Sequence, residues 1–195
     1  VRFVALESMP ISLCIPVVYP RMMTLLDMMS GNAGNLKARK YGAPICVLPK
    51  YRYPSGTHVS DDELILLDAG TSIFLWVGLD VPSEVLVDLF GVEELPDDAA
   101  MLHPIRITRR DNDLSNRVLN VIEDHLRRHR VPSCFSDVRI VKQGSAAEDH
   151  FFNLLVEDEG PNGEPSYCAA LVTAHGKFCF VRCLHLFFCV GLVVL

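Results

Sequence analysis

The sequence contains none of the short motifs by which common enzyme active sites are recognised. Its 195 residues include no G-x-S-x-G, no H-E-x-x-H, no phosphate-binding G-x-x-x-x-G-K-[ST] and no G-x-G-x-x-G. The histidines, among them His58, His103, His125 and His129, are not spaced to pair with a nucleophile. The sequence therefore predicts no catalytic residue and no enzyme activity.

Cysteine is present, but not in an arrangement typical of a disulfide framework or a metal site. The seven cysteines are an odd number, are widely scattered and include no C-x-x-C pair. This pattern favours a reducing compartment. His175, Cys179 and Cys183 are spaced to share one face of a helix, but without a C-x-x-C turn they are weak evidence for zinc or haem. We therefore predict no metal and no cofactor.

The chain also lacks a long basic run, and its net charge is −6. We therefore expect no binding of nucleic acid. The one dense basic patch, Arg127–Arg130, is expected to stabilise the C-terminus of a helix. No signal peptide is visible. Because the chain begins at Val1 rather than Met, we expect it to be cut from a longer protein, so this absence says little about the parent.

An almost wholly apolar tail covers residues 178–195. It is at the short limit for a membrane span, and Arg182 and His185 interrupt it. A buried amphipathic helix, a weak tail anchor and a non-native C-terminus all remain open.

The most informative feature that is present is Leu64–Gly78. Two apolar runs, Leu64–Leu67 and Ile73–Val77, flank a short Asp68–Thr71 connector. Asp and Gly in such a connector predict a β-hairpin. Neither run alternates apolar with polar residues, so both faces of the strands are expected to be covered. This places the hairpin at the centre of a sheet between layers of helices.

Other segments predict a mixed order of strands and helices. Pro10, Pro16 and Pro20 favour short extended pieces near the start. The remaining elements are an edge strand within Val17–Leu26, a flexible loop over residues 30–43, strands at Ile45–Leu48, Asp137–Gln143 and Leu154–Val156, and helices at Pro82–Gly91, Leu114–Arg128, Ala146–Asn153 and from Ser166. We expect an α/β (α+β) fold with a mixed sheet of about five strands.

The long helix carries an apolar stripe that includes His125, which we expect to be a hydrogen-bonded histidine at the edge of the core. Asn112 or Asp113 can cap this helix, and Glu123–Arg127 and Asp124–Arg128 are predicted outer-face pairs. Asp68, Glu123 and the Asp61–Glu63 cluster could together offer oxygen ligands to calcium. Turn chemistry and solvated charge are the interpretation we favour for these acidic residues.

Several phrases, in this order, resemble the cargo-selecting subunit of the COPII vesicle coat over roughly residues 16–175. Each phrase alone is weak, whereas their order and spacing together are specific. They are Val18–Met22, Leu66–Gly70, Phe74–Gly78, Leu89–Val92, Asp111–Val118, Val141–Gln143, Phe152–Asp158 and Pro165–Tyr167.

The resemblance implies a gelsolin-like domain at residues 16–165, with remnants of a neighbouring helical domain. Residues 1–15 would be an upstream remnant, residues 166–177 a helix that packs on the helical domain, and residues 178–195 a tail without a counterpart. Residues 30–57 depart from the family pattern, in which the loop before the hairpin is shorter, and this segment looks either inserted or misjoined. Without the neighbouring domains, the apolar side chains of Met22, Met23, Met28 and Met29 are expected to be exposed.

The function implied is protein–protein contact in transport from the endoplasmic reticulum to the Golgi, at the cytosolic face of exit sites. Implied partners are the GTPase-activating subunit of the inner coat and sorting signals on cargo or SNAREs, with peripheral membrane association through the coat. A structural zinc is expected only in the upstream region. No binding residue is assigned. Two alternatives are a free-standing gelsolin-type module that binds actin, calcium or acidic phospholipid, and a small cysteine-dependent hydrolase.

Overall fold

A computed structural model of the chain describes residues 11–97, 105, 107–129, 138–159, 163 and 165–175. The chain divides into two compact units, Val1–Leu155 and Val156–Leu195. The predicted boundaries at residues 15, 165 and 177 separate the gelsolin-like domain from remnants of a helical domain and from the apolar tail. These boundaries stay a prediction. Within the described ranges, no helix is both long and apolar enough to cross a membrane. The apolar tail at 178–195 lies outside the described residues.

The first unit is built on a mixed five-stranded sheet, as the sequence predicts. Its strand order is β4-β1-β5-β6-β7, and every pairing is antiparallel except the parallel pair β6–β7. A separate antiparallel pair is formed by β2 and β3. The strands are β1 Arg21–Thr24, β2 Leu36–Lys37, β3 Ile45–Cys46, β4 Tyr51–Arg52, β5 Leu64–Asp68, β6 Ile73–Val77 and β7 Val138–Lys142.

The predicted hairpin is confirmed as β5 and β6, with Leu64 opposite Val77 and Asp68 opposite Ile73. Every residue of both strands is buried, because β1 and β7 flank them in the sheet and apolar side chains cover both faces. The Asp68 side chain accepts a hydrogen bond from the Gly70 N–H over 2.9 Å. Gly70 has a φ of 80°, a conformation that glycine adopts at low cost.

Among the described residues of the first unit, the α-helices are α1 Ile11–Val18, α2 Ser83–Phe90, α3 Asp113–His129 and α4 Glu148–Phe152. Two short 3₁₀ helices, η1 Leu26–Ser30 and η2 Gly56–His58, join the strands. Asn112 caps α3 by accepting a hydrogen bond from the Ser115 N–H over 2.8 Å, as the sequence predicts. In the second unit, residues 167–175 form helix α5, and the predicted cap Ser166 accepts from the Ala169 N–H.

Two apolar clusters lie on opposite faces of the sheet. Alternate residues of the hairpin supply each cluster, because successive side chains of a strand point to opposite faces. One cluster joins the Leu64, Leu66 and Leu75 side of the sheet to α2 and α3. The other joins Trp76 to Phe151 of α4, whose rings stack with centroids 6.1 Å apart. Helices therefore cover both faces, as expected.

Near the N-terminus, three sequence-based expectations are wrong. Pro16 lies inside α1, where extended backbone was expected. The fixed φ of proline is compatible with a helix, although an interior proline removes one i→i−4 hydrogen bond. The strand β1 begins only after Pro20 and is not an edge strand, because β4 pairs with its outer side. Met22, Met23 and Met28, which were expected to be exposed, are fully buried in the two clusters, and the Met29 side chain lies outside the described residues.

Three local expectations also fail. The segment 30–43, expected to be a flexible loop, contains β2. The segment Leu154–Val156 is not a strand, because the Leu154 and Leu155 N–H groups bond to the carbonyls of the preceding helix and form turns. The predicted Glu123–Arg127 pair is replaced: Glu123 contacts Arg109 at 3.0 Å, whereas Arg127 lies 3.6 Å from Asp124. The Arg128 side chain lies outside the described residues.

A close backbone approach at Gly78 gives a stability test. A Cβ built on Gly78 would collide with the backbone carbonyl of Asp61, whereas nothing lies within 4 Å of a Cβ on Gly31. We expect Gly78→Ala to lower the free energy of unfolding by roughly 1–3 kcal/mol, because backbone must shift to make room. Urea denaturation measures this, with Gly31→Ala as the matched control. Equal stability of the two variants would contradict the described packing.

Candidate functional site

The main buried polar contact joins the hairpin to the long helix. His125 Nδ1 of α3 lies 3.1 Å from Asp68 Oδ2 at the end of β5, and both side chains are fully buried. Because a carboxylate accepts hydrogen bonds, Nδ1 is the donor. Since Asp68 Oδ1 already holds the Gly70 N–H, one carboxylate fixes both the turn and the helix. The expectation that His125 is hydrogen-bonded is confirmed, although it lies within the core rather than at its edge.

The acidic residues considered as calcium ligands are not brought together. Glu123 is about half exposed and pairs with Arg109. Glu63 accepts hydrogen bonds from Thr24 and Arg52, and Asp61 accepts from Gln143 over 2.8 Å. Over the part of the chain that the structure describes, no group of three or more His, Cys, Asp or Glu side chains could hold a metal ion. The expected lack of a cofactor stays a prediction.

The side of α3 that carries Arg117 and Asn120 holds the segment between β1 and β3. Arg117 donates to the carbonyls of Met28 and Gly31 over 2.8 and 2.7 Å, and Asn120 donates to the Gly34 carbonyl over 2.9 Å. Gly34 has a φ of 80°, and a Cβ there would collide with the Arg117 side chain. Sequence reasoning missed these contacts, because backbone carbonyls carry no sequence signal.

An exposed cationic surface comes next along the chain after this attached segment. Sequence reasoning also missed this surface. We define the basic–tyrosine surface as Lys37, Arg39, Lys40, Tyr41, Lys50 and Tyr53, all of which are exposed. The signal in the sequence is the absence of any Asp or Glu between residues 28 and 60. A nearby cation, Arg52, is already neutralised by Glu63 at 2.8 Å and Asp27 at 3.8 Å.

The second unit contains one cysteine whose environment bears on reactivity. A hydrogen bond to Glu157 raises the pKa of the Cys168 thiol, with smaller contributions from burial and from the charge of Glu157. A raised pKa is the opposite of what a cysteine nucleophile needs at neutral pH. His175 is exposed in α5, whereas Cys179 and Cys183 lie outside the described residues.

Comparison with known proteins decides the family. No model of a known protein family matches the chain. Individual relatives do match: the protein transport protein sec24 of Aspergillus oryzae is 35% identical over 81% of this chain and 17% of its own length. SEC24 B of Arabidopsis thaliana is 30% identical over 87% of this chain and 14% of its own length. The chain belongs to the Sec24 family.

A solved Sec24 structure supports this assignment at the level of the fold. The crystal structure of the human COPII-coat protein Sec24c matches with a TM-score of 0.61 and 27% identity, over 89% of this chain and 20% of that one. The family expected from the resemblance and the mixed α/β fold are therefore confirmed, and this fold is consistent with a gelsolin-like domain. The chain spans about a sixth of the length of the curated Sec24 relatives it matches.

The buried pair gives a test of what holds α3 in place. We expect Asp68→Ala to lower the free energy of unfolding by roughly 3–5 kcal/mol, because the change leaves the buried His125 and the Gly70 N–H without their acceptor. Glu123→Ala, which breaks the half-exposed contact to Arg109, should cost no more than about 1 kcal/mol. Thermal and urea unfolding measure both. Similar losses from the two variants would contradict the dominant role of the buried pair.

The environment of Cys168 gives a test in the second unit. Glu157→Gln should lower the pKa of Cys168 and speed its alkylation by iodoacetamide at neutral pH, because a hydrogen-bond acceptor and a negative charge are both lost. Peptide mass spectrometry follows Cys168 separately from the other cysteines. Glu159→Gln removes the same charge nearby and should change the rate less. An unchanged pH–rate profile in Glu157→Gln would contradict the hydrogen bond.

Proposed function

We propose that this chain is the C-terminal gelsolin-like part of a cargo adaptor of the inner COPII coat. It would act in vesicle transport from the endoplasmic reticulum to the Golgi, at the cytosolic face of exit sites. The observation that carries the proposal is the similarity to Sec24 proteins of fungi, plants and human, together with the matching fold of human Sec24c. No finding favours the alternative of an actin-binding module.

The proposed mode of action is contact between proteins, without chemistry. The hairpin residues that carry the resemblance are buried, so they support surfaces rather than form them. The raised pKa of Cys168 argues against this thiol as the nucleophile of the hydrolase alternative. We propose the GTPase-activating subunit of the inner coat and sorting signals on cargo or SNAREs as partners, with membrane association through the coat.

Exposed apolar side chains support the idea that neighbouring domains cover parts of the chain. In α5, Leu171 and Val172 are 51% and 72% exposed. Adjacent exposed apolar side chains can mark a surface that contacts another protein. The predicted role of residues 166–177, packing on a helical domain, would cover them.

A replacement experiment tests the proposal. In human Sec24C, the corresponding region is replaced by this chain. Export of a secreted reporter is then measured in cells depleted of endogenous Sec24C. We expect the chimaera to restore export and to co-purify with the GTPase-activating subunit. In the matched control, the region is replaced by a flexible linker of equal length, which should restore neither. A stable chimaera that performs no better than the linker version would overturn the proposal.

A further inference from the structure

Strand β7 is an outer strand of the five-stranded sheet. The strand order leaves it paired on one side with β6, and no strand among the described residues pairs with its other side. The opposite outer strand, β4, has only two residues, whereas β7 has five and is about 17 Å long. An open strand edge of this length is a surface on which another extended chain can pair.

The register of β7 determines which of its backbone groups are open. The Gln143 N–H bonds to the Val77 carbonyl over 2.9 Å. In a parallel ladder, alternate residues direct both backbone groups to the same neighbour, so Arg139, like Gln143, faces β6. Val138 and Ile140 direct their N–H and C=O groups away from β6. Among the described residues, these groups have no hydrogen-bond partner.

The side chains on one face of β7 indicate which residues fit an added strand. Val138 and Ile140 are half-buried and pack against the apolar cluster on the α3 side of the sheet. Directly opposite residues of two paired strands lie on the same face of a sheet. Apolar side chains at alternate positions of an added strand would therefore lie beside Val138 and Ile140 and cover them.

The other face of β7 carries an exposed cation. The Arg139 guanidinium carbon lies 5.8 Å from the centroid of the Phe74 ring. Among the described residues, Arg139 has no acidic partner. The second cation of β7, Lys142, is instead held by the Leu95 carbonyl and by Asp97. Arg139 is therefore the cation that an acidic side chain on an added strand would meet.

We propose that β7 binds an extended segment of another protein by strand addition, with apolar residues beside Val138 and Ile140 and an acidic residue opposite Arg139. Backbone hydrogen bonds would supply affinity, and the side chains would supply selectivity. A second copy of this chain fits poorly, because an antiparallel pair centred on Ile140 would set Arg139 opposite Val141. Each copy also carries a net charge of −6. The inference goes beyond the proposed function, because it involves no coat subunit.

Amide hydrogen exchange of the full 195-residue chain, followed by NMR, tests whether the edge is open and becomes occupied. The probe is a synthetic peptide of about seven residues, enough to span β7, in which a glutamate stands between a valine and an isoleucine. In the chain alone, the N–H groups of Val138 and Ile140 should exchange fast, whereas that of Arg139 should be protected. With peptide at about ten times its dissociation constant, exchange at Val138 and Ile140 should slow roughly tenfold.

Two outcomes of the exchange experiment would overturn the proposal. Slow exchange at Val138 and Ile140 in the dilute chain without peptide would show that the edge is already covered. Slowing that depends on the concentration of the chain alone would identify a second copy as the occupant.

A double-variant cycle, measured by fluorescence anisotropy of the labelled peptide, tests the charge pair. Arg139→Gln should weaken binding about threefold, and so should glutamine in place of the peptide's glutamate. Both changes together should cost no more than either alone, because the two groups act as one pair. The matched control Lys50→Gln removes an exposed cation beside β4 and should leave binding unchanged. Multiplicative losses, or an equal loss in Lys50→Gln, would contradict the pairing. Circular dichroism checks that the variants are folded.

Peptides methylated on backbone nitrogen test the strand addition itself. Alternate residues of an extended peptide direct their N–H groups to opposite edges, and a methyl group removes the donor and blocks that edge. Methylation of the glutamate and methylation of its two apolar neighbours should therefore give opposite results, with one peptide binding and the other not. Equal behaviour of the two peptides would overturn strand addition. These results do not depend on whether the Sec24C chimaera restores export.

Discussion

The contact between Asp68 and His125 determines how the helical layer meets the sheet. It connects the end of the central strand β5 to the last third of α3, and water reaches neither side chain. Apolar packing between a helix and a sheet tolerates small sliding movements, whereas a buried hydrogen bond restricts the partners to one register. The loop contacts of Arg117 and Asn120 lie on the same helix. Their positions therefore depend on the register that Asp68 and His125 set.

The sequence predicts those elements whose residue pattern extends over several positions, and it does not predict the shorter ones. The hairpin and α3 are predictable because each repeats its signal over several residues: continuous apolar runs in one, a 3.6-residue stripe in the other. The two-residue strand β4 carries no such repeat, so it was missed and β1 was wrongly placed at an edge. Burial of His125 could be predicted from the stripe. Its partner, 57 positions away, could not.

The two candidate surfaces also differ in whether the sequence predicts them. Attachment of the segment 28–34 to α3 uses backbone carbonyls, which every residue possesses, and only the conformation of Gly34 distinguishes the site. The basic–tyrosine surface, by contrast, could have been found from the sequence, because the missing acidic residues between 28 and 60 are a compositional signal. The net charge of −6 for the whole chain hides this local positive charge, which is visible when charge is taken over a short segment.

The parallel pairing of β6 with β7 has a consequence for how the chain folds. Ile73 pairs with Val138, so α2 and α3 must be accommodated between the two strands before that edge of the sheet can close. Contacts between distant parts of a chain form late, because loop closure costs entropy first. Until β7 arrives, β6 presents an apolar open edge that can pair with another chain. During synthesis, the hairpin can therefore emerge before β7 docks, and in that interval its open edge is available for pairing with another chain.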